Sequence, residues 1–513
     1  MRHEGVTMPR VSRELLLGGL PPVPPVSADD VVRAQEASGM RPVYVVLDDD
    51  PTGTQSVAGL PVLTSWEVGD FAWAFETGAP AVYVMTNSRS LAPEGAERVN
   101  REVVSAAVEA AEAGGADVAF VSRSDSTLRG HFPLEPNTIA ECLRSATGAR
   151  ADGIVVVPAF GDAGRITVHG THYAGDPREG YLPVGETEFA RDATFGYAAS
   201  NLAEWVEEKT GGAVPASDVL VLDIETLRTD LDGAVALLTS ASDARPIVVD
   251  AVEEEDLRQL ALALIRAERA GSRFVYRVGP PFVRARVGQA VHAPLTPEEI
   301  EASRAGREAA AGGLVVVGSH VDLTTRQLDE LRARRRPLEL EIDVAKVVDP
   351  SSRGPHLAEL IDAAAAGLKE GDVAVRTSRT LVTGANADDS LAISRKVSAA
   401  VVEAVKGVLA RETPRFVIAK GGITSSDVAS KGLGIRRATV VGPMLPGIVS
   451  LWSGQDGPAA GIPYIVFAGN VGTAASLADV VDKLAQPEGE PTQQDGELAQ
   501  SDGELEQREG EPA

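Results

Sequence analysis

The chain has 513 residues, enough for two large domains, and its 44% hydrophobic and 24% charged residues are ordinary globular values that exclude a disordered or fibrous protein. A formal net charge of −26, from 74 acidic and 48 basic side chains, repels nucleic acid and anionic membranes at long range, although a local basic pocket still accepts a small anion. No apolar run approaches the roughly 18–20 residues of a membrane span, Leu15–Pro25 lacks a signal-peptide layout, and the one cysteine, Cys142, excludes an intramolecular disulfide and a thiolate metal cluster. The expected location is the cytoplasm.

Residues 1–38 are mixed and Pro-rich and stand as an N-terminal extension. From there, short apolar runs alternate with helical patterns. In the first half the runs are Val43–Leu47, Ala81–Met85, Val118–Val121, Ile154–Val157, Val219–Leu222, Ile247–Val249 and Phe274–Val278. In the second they are Leu314–Val317, Val373–Val375, Phe416–Ala419, Thr439–Val441 and Tyr464–Phe467. Runs this short and this rich in Val and Ile suit the buried strands of parallel sheets. The helical stretches between them are Glu94–Ala113, Ala199–Lys209, Glu255–Ala270, Thr324–Arg335, His356–Lys369 and Ser390–Arg411.

This alternation predicts an α/β fold of two domains, 39–300 and 301–486, each a mostly parallel sheet flanked by helices. The boundary falls at Ala293–Gly313, read as a hinge with an exposed Ala-rich helix, in preference to one continuous sheet. Residues 487–513 carry nine acidic residues and one arginine with almost nothing apolar, the composition of a disordered tail.

Polar residues cluster just after the apolar runs, where ligands bind in open α/β sheets. The first half offers Asp48-Asp49-Asp50, then Arg89, then Arg123-Ser124-Asp125-Ser126 with Arg129-Gly130, then Arg165. Guanidiniums hold carboxylate or phosphate in a fork, and a carboxylate can take a proton from a hydroxyl. That set suits a small, acidic, hydroxylated molecule. Asp48 is the member read as a structural cap. The second half offers Gly318-Ser319, Lys420-Gly421-Gly422 with Thr424, and Gly469-Asn470. Glycine-rich turns with free backbone N–H groups suit polyphosphate. The active site is therefore expected in the cleft between the domains. His169 and His172 have zinc-like spacing but no third ligand nearby, so a surface turn is expected and no metal ligand is assigned. Cys142 is expected as a small core residue. Neither a P-loop nor a Gly-x-Gly-x-x-Gly fingerprint follows the first strand.

Taken in order, these clusters resemble the four-carbon acid sugar kinase family, formerly a family of unknown function. The resemblance rests on Asp49-Asp50-Pro51-Thr52-Gly53, Asp125-Ser126-Thr127-Leu128-Arg129-Gly130, Pro158-Ala159-Phe160 with Gly164-Arg165, and Gly170, Glu186, Phe189 and Asp192. It continues through Gly318-Ser319, Gly421-Gly422-Ile423-Thr424, Pro446-Gly447 and Gly469-Asn470-Val471-Gly472, so it spans most of the chain. It implies a two-domain, ATP-dependent kinase. The N-terminal domain would take a sugar acid such as threonate, erythronate or a 3-oxo-tetronate, and the C-terminal domain would take ATP with Mg²⁺.

Asp49, Asp50, Asp125 and Arg129 fall in the family's motifs; with the strand-end chemistry, Asp49 or Asp50 is expected to orient and deprotonate the hydroxyl, and Arg89, Arg123, Asp125, Ser126, Arg129 and Arg165 to hold the acid. Ser319, Lys420, Gly421, Gly422, Thr424, Gly447, Gly469 and Asn470 hold the nucleotide. The implied partners are the two small molecules, with no nucleic acid or membrane; a homodimer is admitted. Arg123 stands where the family has a lysine, Ile423 where it has a glutamate, and Phe467 where it has a lysine, a charge that Lys420 is expected to replace. Two other classes stay open: a non-catalytic sensor of the same ligands, and an NAD(P)-dependent dehydrogenase.

Overall fold

The computed structural model describes residues 10–378 and 387–485; the acidic stretch 487–513 lies outside the described residues. In the first half the strands are β1 (Val43–Asp48), β2 (Leu60–Leu63), β3 (Ala81–Met85), β4 (Val118–Arg123) and β5 (Gly153–Val157). A small antiparallel sheet follows, β6 (Arg165–Val168), β7 (Thr171–Asp176) and β8 (Gly180–Pro183), and then β9 (Leu220–Leu222), β10 (Arg245–Val249) and β11 (Phe274–Val278). The second half holds β12 (Leu314–Val317), β13 (Leu338–Ile342), β14 (Val373–Thr377), β15 (Val417–Lys420), β16 (Arg437–Leu445), β17 (Val449–Gly454) and β18 (Pro463–Phe467).

All twelve expected runs are strands. Each alternates its side chains between two helical layers, which is why the runs are apolar throughout. On β1, Tyr44 and Val46 pack with Leu257, Leu260 and Leu264 of the helix Glu254–Arg269, while Val45 and Leu47 pack with Val103, Val104 and Ala107 of the helix Pro93–Gly114. Cys142 is a buried member of the second layer. Residues of the N-terminal extension join the first half: Val26 and Val31 pack on Ala261 and Ile265, and Val11 bridges to Tyr181.

One expectation is corrected. The two parallel halves are not separate sheets but parts of one 15-stranded sheet, ordered β13-β14-β12-β15-β18-β17-β16-β2-β3-β1-β4-β11-β5-β10-β9. The join is antiparallel, with Leu60, Val62 and Leu63 of β2 opposite Val440, Ala438 and Arg437 of β16. Beyond the ladder, Trp452 Nε1 donates to Thr54 Oγ1 at 2.9 Å, and Thr54 and Ser450 hydroxyls bond at 2.9 Å. Fully buried Asp70 accepts from Arg437 Nε at 2.9 Å and Arg436 Nη2 at 3.0 Å.

The Ala293–Gly313 segment is exposed over much of its length but anchored at several points. Its helix covers only Pro297–Ala302, capped by Thr296, and Leu295 and Ile300 are buried beside Met444 and Leu477 in the core of the second half. Buried Arg304 donates to the Leu484 carbonyl at 3.2 Å. β16 and β17 run antiparallel at the seam, and with β18 antiparallel to β17 the strand direction reverses between the halves.

Candidate active site

The residue directly after a strand and the last residue within it have different surroundings, and this sorts the acidic cluster. Asp48 is the last residue of β1 and lies in register with Arg123, the last residue of β4. Both are buried and form an ion pair; the Arg123 guanidinium also donates to the Asp50 and Ser124 carbonyls. Gly53 closes over this pair, and a Cβ there would collide with both partners. Arg123, expected to hold the substrate carboxylate, is instead consumed by Asp48: two charges this deep need each other. Asp48 is thus held as half of a buried ion pair and does not cap the following turn; that cap is Asp50, which accepts from the Thr52 N–H.

Asp49 and Asp50 lie beyond the strand. Asp49 is 2% exposed and accepts two bonds from Arg89, from Nη2 at 2.7 Å and Nε at 3.1 Å. Burial pushes its carboxyl up to about 6, against the pull of the Arg89 guanidinium. Asp50 is half-buried. Its Oδ1 accepts from the Thr52 N–H at 2.9 Å and the Thr52 hydroxyl at 2.6 Å, and its Oδ2 lies 3.7 Å from Arg89. Arg89 therefore sits among carboxylates rather than open to a ligand.

The Asp125–Gly130 turn forms the next wall. Arg129 Nε donates to Asp125 Oδ2 at 2.6 Å, and Arg129 Nη1 lies 3.7 Å from Asp192. Burial raises the Asp125 carboxyl, but the Arg89 and Arg129 guanidiniums outweigh it and hold it at about 2. The turn is anchored from behind. His172 is bonded to the Ser126 carbonyl at 2.8 Å, and the Tyr197 hydroxyl donates to the Thr127 carbonyl at 2.6 Å. His172 is fully buried, not on a surface turn, and burial lowers its imidazole to about 4, so it holds the turn as a neutral ring. Arg129 and Arg165 cover the Phe189 ring, 5.3 and 5.6 Å from its centroid. Arg165 has no ion-pair partner among the described residues; it donates to the Ala163 carbonyl, and its buried Nε makes no hydrogen bond.

In the second half the expected glycines converge. A Cβ on Gly318 would collide with the Thr424 hydroxyl, and one on Gly469 with the Ser319 hydroxyl. Gly421 has φ +124°, a backbone that favours glycine. The Gly421 N–H donates to the Phe467 carbonyl at 2.8 Å and the Gly318 N–H to the Lys420 carbonyl at 3.2 Å, so these glycines make room for close packing, and the turn they form opens at Gly422, the first residue of a short helix. A cavity of about 200 Å³ opens beside it, lined by Gly318, His320, Ile393, Val397, Ile423 and Thr424. Asn470 is exposed at the rim.

Two expected nucleotide residues lie elsewhere. Lys420, last in β15, is fully buried; its Nζ donates to the Ala468 carbonyl at 2.5 Å and lies 3.7 Å from the centroid of the Phe467 ring, its partner in register. Burial lowers the ammonium to about 7. Gly447 faces the first half, where a Cβ would lie 3.6 Å from Asp162 Oδ2.

The two sets of residues meet through Asp50. A Cβ placed on Gly422 would lie 3.2 Å from Asp50 Oδ2, so this carboxylate faces the glycine turn across the seam. Sequence reasoning missed Arg277 and Glu135, which lie buried behind Asp49; the available signal was a charge inside the apolar run Phe274–Val278. Among the described residues no group of three or more His, Cys, Asp or Glu is placed to hold a metal ion, and no helix is long and apolar enough to cross a membrane.

Two family models match in succession, a sugar-binding N-terminal domain over residues 44–286 and a nucleotide-binding C-terminal domain over 314–477. A D-threonate kinase of Salmonella typhimurium is 31% identical over 258 residues, 50% of this chain and 53% of that protein, so the match spans about half the length of that relative. Among solved structures, one from Salmonella typhimurium LT2 superposes with a TM-score of 0.60 at 18% identity, covering 85% of this chain and 98% of that one. A Haemophilus influenzae protein of the DUF1537 family superposes with a TM-score of 0.55, also at 18% identity over 85% and 98%. These likenesses support the fold. The succession of sugar-binding and nucleotide-binding domains, on either side of the seam where Asp50 meets Gly422, places the chain in the four-carbon acid sugar kinase family.

Proposed function

We propose that the protein is an ATP-dependent kinase that phosphorylates a hydroxyl of a small sugar acid of about four carbons, threonate-like in class. The observation that carries this reading is the approach of Asp50 to Gly422, which puts a carboxylate of the sugar half against the glycine turn of the nucleotide half. Phosphoryl transfer is mostly positioning and charge neutralisation, with the reacting atoms brought within about 3–3.5 Å. ATP supplies the phosphoryl group. The Gly422 backbone at the start of its short helix meets the phosphates, with Gly421, Thr424, Ser319 and Gly469 shaping the turn, and the cavity under Ile423 and Val397 takes the base. Magnesium would arrive with the nucleotide and neutralise the charge of its phosphates.

Asp50, rather than Asp49, orients the attacking hydroxyl and accepts its proton, because its Oδ2 faces the Gly422 turn whereas both oxygens of Asp49 bond Arg89. Arg89 holds Asp50 in place. Arg165, with no carboxylate of its own, takes the substrate carboxylate, and Phe189 and Arg129 floor the pocket. Asp125, through the oxygen that Arg129 and Thr127 leave free, and Ser126 bond substrate hydroxyls in this reading.

The test is an ATP-consumption screen across hydroxy acids, aldonates and their oxo forms of three to six carbons. Turnover with a four-carbon acid that falls on the order of 10²-fold in Asp50→Asn, the scale of general-base loss, supports the reading. Binding of both ligands without turnover would make the protein a sensor, and an absorbance change with NAD(P) would make it a dehydrogenase.

A further inference from the structure

Two charged side chains with no role above lie buried behind the cleft. Arg277, on β11, is 3% exposed, and Glu135, in the helix Leu134–Thr147, is 2% exposed. Arg277 Nη1 donates to Glu135 Oε2 and, at 2.7 Å, to Ser122 Oγ. Glu135 Oε1 accepts from the Ser88 hydroxyl and, at 3.4 Å, from Asn100 Nδ2. One edge of the Arg277 guanidinium is thus fixed by the protein interior. The other edge faces Gly130: a Cβ there would lie 2.8 Å from Arg277 Nη2 and 3.1 Å from Asp49 Oδ2. Gly130 has φ +123°, so a residue without a side chain is what lets Arg277 and Asp49 flank the same point. Asp49 grips Arg89 with two bonds, and Arg89 reaches Asp50 at 3.7 Å.

We infer that Glu135 and Arg277 are positioning residues for the reaction, the inner end of an alternating charge chain Glu135–Arg277–Asp49–Arg89–Asp50 that holds Asp50 aimed at the nucleotide half. The inference rests on the proposal that Asp50 orients the acceptor hydroxyl. The cations facing Asp49 are Arg89 at 2.7 Å, Arg123 at 3.5 Å and Arg277; the anions around it are Asp48 (already paired with Arg123), Asp50, Asp125 across Arg89, and Glu135 behind Arg277. His131 lies in the same shell, its Nε2 3.2 Å from the Ser88 carbonyl and 3.1 Å from that of Leu91. Removing the Arg277 charge takes a cation from beside Asp49, which then protonates at higher pH and loosens Arg89. Removing the Glu135 charge leaves Arg277 with only Asp49 to neutralise it, which moves Asp49 the other way.

The experiment compares Arg277→Met, Arg277→Lys and Glu135→Gln. It measures kcat against pH for an accepted acid and, separately, the pH dependence of acid binding by calorimetry without nucleotide. Arg277→Met is expected to move the acid limb of both profiles up by about one pH unit, lowering kcat about tenfold on that limb with KM for ATP unchanged. Arg277→Lys should return the limb toward wild type, and Glu135→Gln should move it down. Opposite shifts are what a purely structural pair would not produce. Shifts in the same direction, or unmoved limbs, overturn the inference; if Arg277→Met does not fold, the Lys and Gln variants alone decide it. Should Asp50→Asn keep full turnover, the base assignment fails, while the calorimetric limb still tests the inner chain.

Discussion

Asp50 and Gly422 face each other across the seam, close enough that a Cβ on Gly422 would lie 3.2 Å from the Asp50 carboxylate and make it give by a few tenths of an ångström. Oδ1 of Asp50 is occupied by Thr52, so Oδ2 is the oxygen that faces the second half. A methyl in this gap moves the carboxylate without disturbing either core. We predict that Gly422→Ala lowers kcat by up to about tenfold, less than the roughly 10²-fold of a 1 Å misplacement, with the melting temperature unchanged. Steady-state kinetics beside a melting curve checks this. A variant with full kcat would mean the chemistry lies elsewhere in the cleft.

The arginines should separate by function. Arg165 has no carboxylate partner among the described residues, so Arg165→Ala is expected to raise KM for the acid at least tenfold and leave KM for ATP unchanged. Arg123→Ala should act on folding instead. It strands fully buried Asp48 without its counter-charge, a loss of about 3–5 kcal/mol for a pair this deep. Denaturant melts of the two variants make the comparison; a stable Arg123→Ala enzyme with a raised KM would restore Arg123 to the substrate site.

The seam carries a third prediction. Asp70 of the first half takes both Arg436 and Arg437 of the second, and although burial raises its carboxyl, the bonds from Ser65 and the two arginines bring it below the usual carboxylate range. A carboxyl lowered on folding adds stability above its unfolded pKa, and that stability is lost as pH falls through the folded value. Asp70→Asn should therefore cost on the order of 2 kcal/mol at pH 7, less than a fully buried pair because both arginines reach water. The deficit should shrink as the pH is lowered below about 4. A deficit that is constant with pH would assign the loss to packing alone.

How far the sequence reached follows from what each element buries. Strands covered on both faces are apolar throughout, so all twelve runs were legible. β13 reads Leu-Glu-Leu-Glu-Ile at the sheet edge and β17 reads Val-Ser-Leu-Trp-Ser-Gly beside the seam; such alternation falls outside a search for continuous runs. The seam pairs β2 with β16; Thr439–Val441 was legible, but β2 is only the four residues Leu-Pro-Val-Leu, its proline argues against a strand, and which strand pairs with which is not written in either segment. In the site, residues one or two positions past a strand, such as Asp49, Asp50, Gly421 and Gly422, were legible as cleft residues. Arg123 and Lys420 were not separable from them, because each is the last residue inside its strand. Inter-strand register, Asp48 with Arg123 and Phe467 with Lys420, turns both side chains into the interior. Register is set by pairing across the chain and leaves no local mark.

Lys420 provides a last prediction, on the pH dependence of stability. Its ammonium is buried against the Phe467 ring and the Ala468 carbonyl, with no carboxylate partner among the described residues, and burial lowers it from 10.5 to about 7. Below pH 7 both folded and unfolded chains carry the proton, and the folded state bears the cost of a desolvated charge. Between about 7 and 10.5 the unfolded chain binds more protons than the folded one, so this group makes stability rise with pH across that window. Lys420→Met keeps the length and apolar stem but removes the titration. We predict that the variant is at least as stable as wild type at pH 6 and loses that advantage steadily by pH 9, as the wild-type lysine sheds its proton. Because the ammonium also orders the start of the Ala468–Gly472 turn, KM for ATP should rise severalfold in the same variant while KM for the acid stays put. Melting temperatures of both proteins from pH 6 to 9.5 decide the first point. Parallel curves would show that Lys420 keeps its charge throughout, balanced by an anion that reaches it.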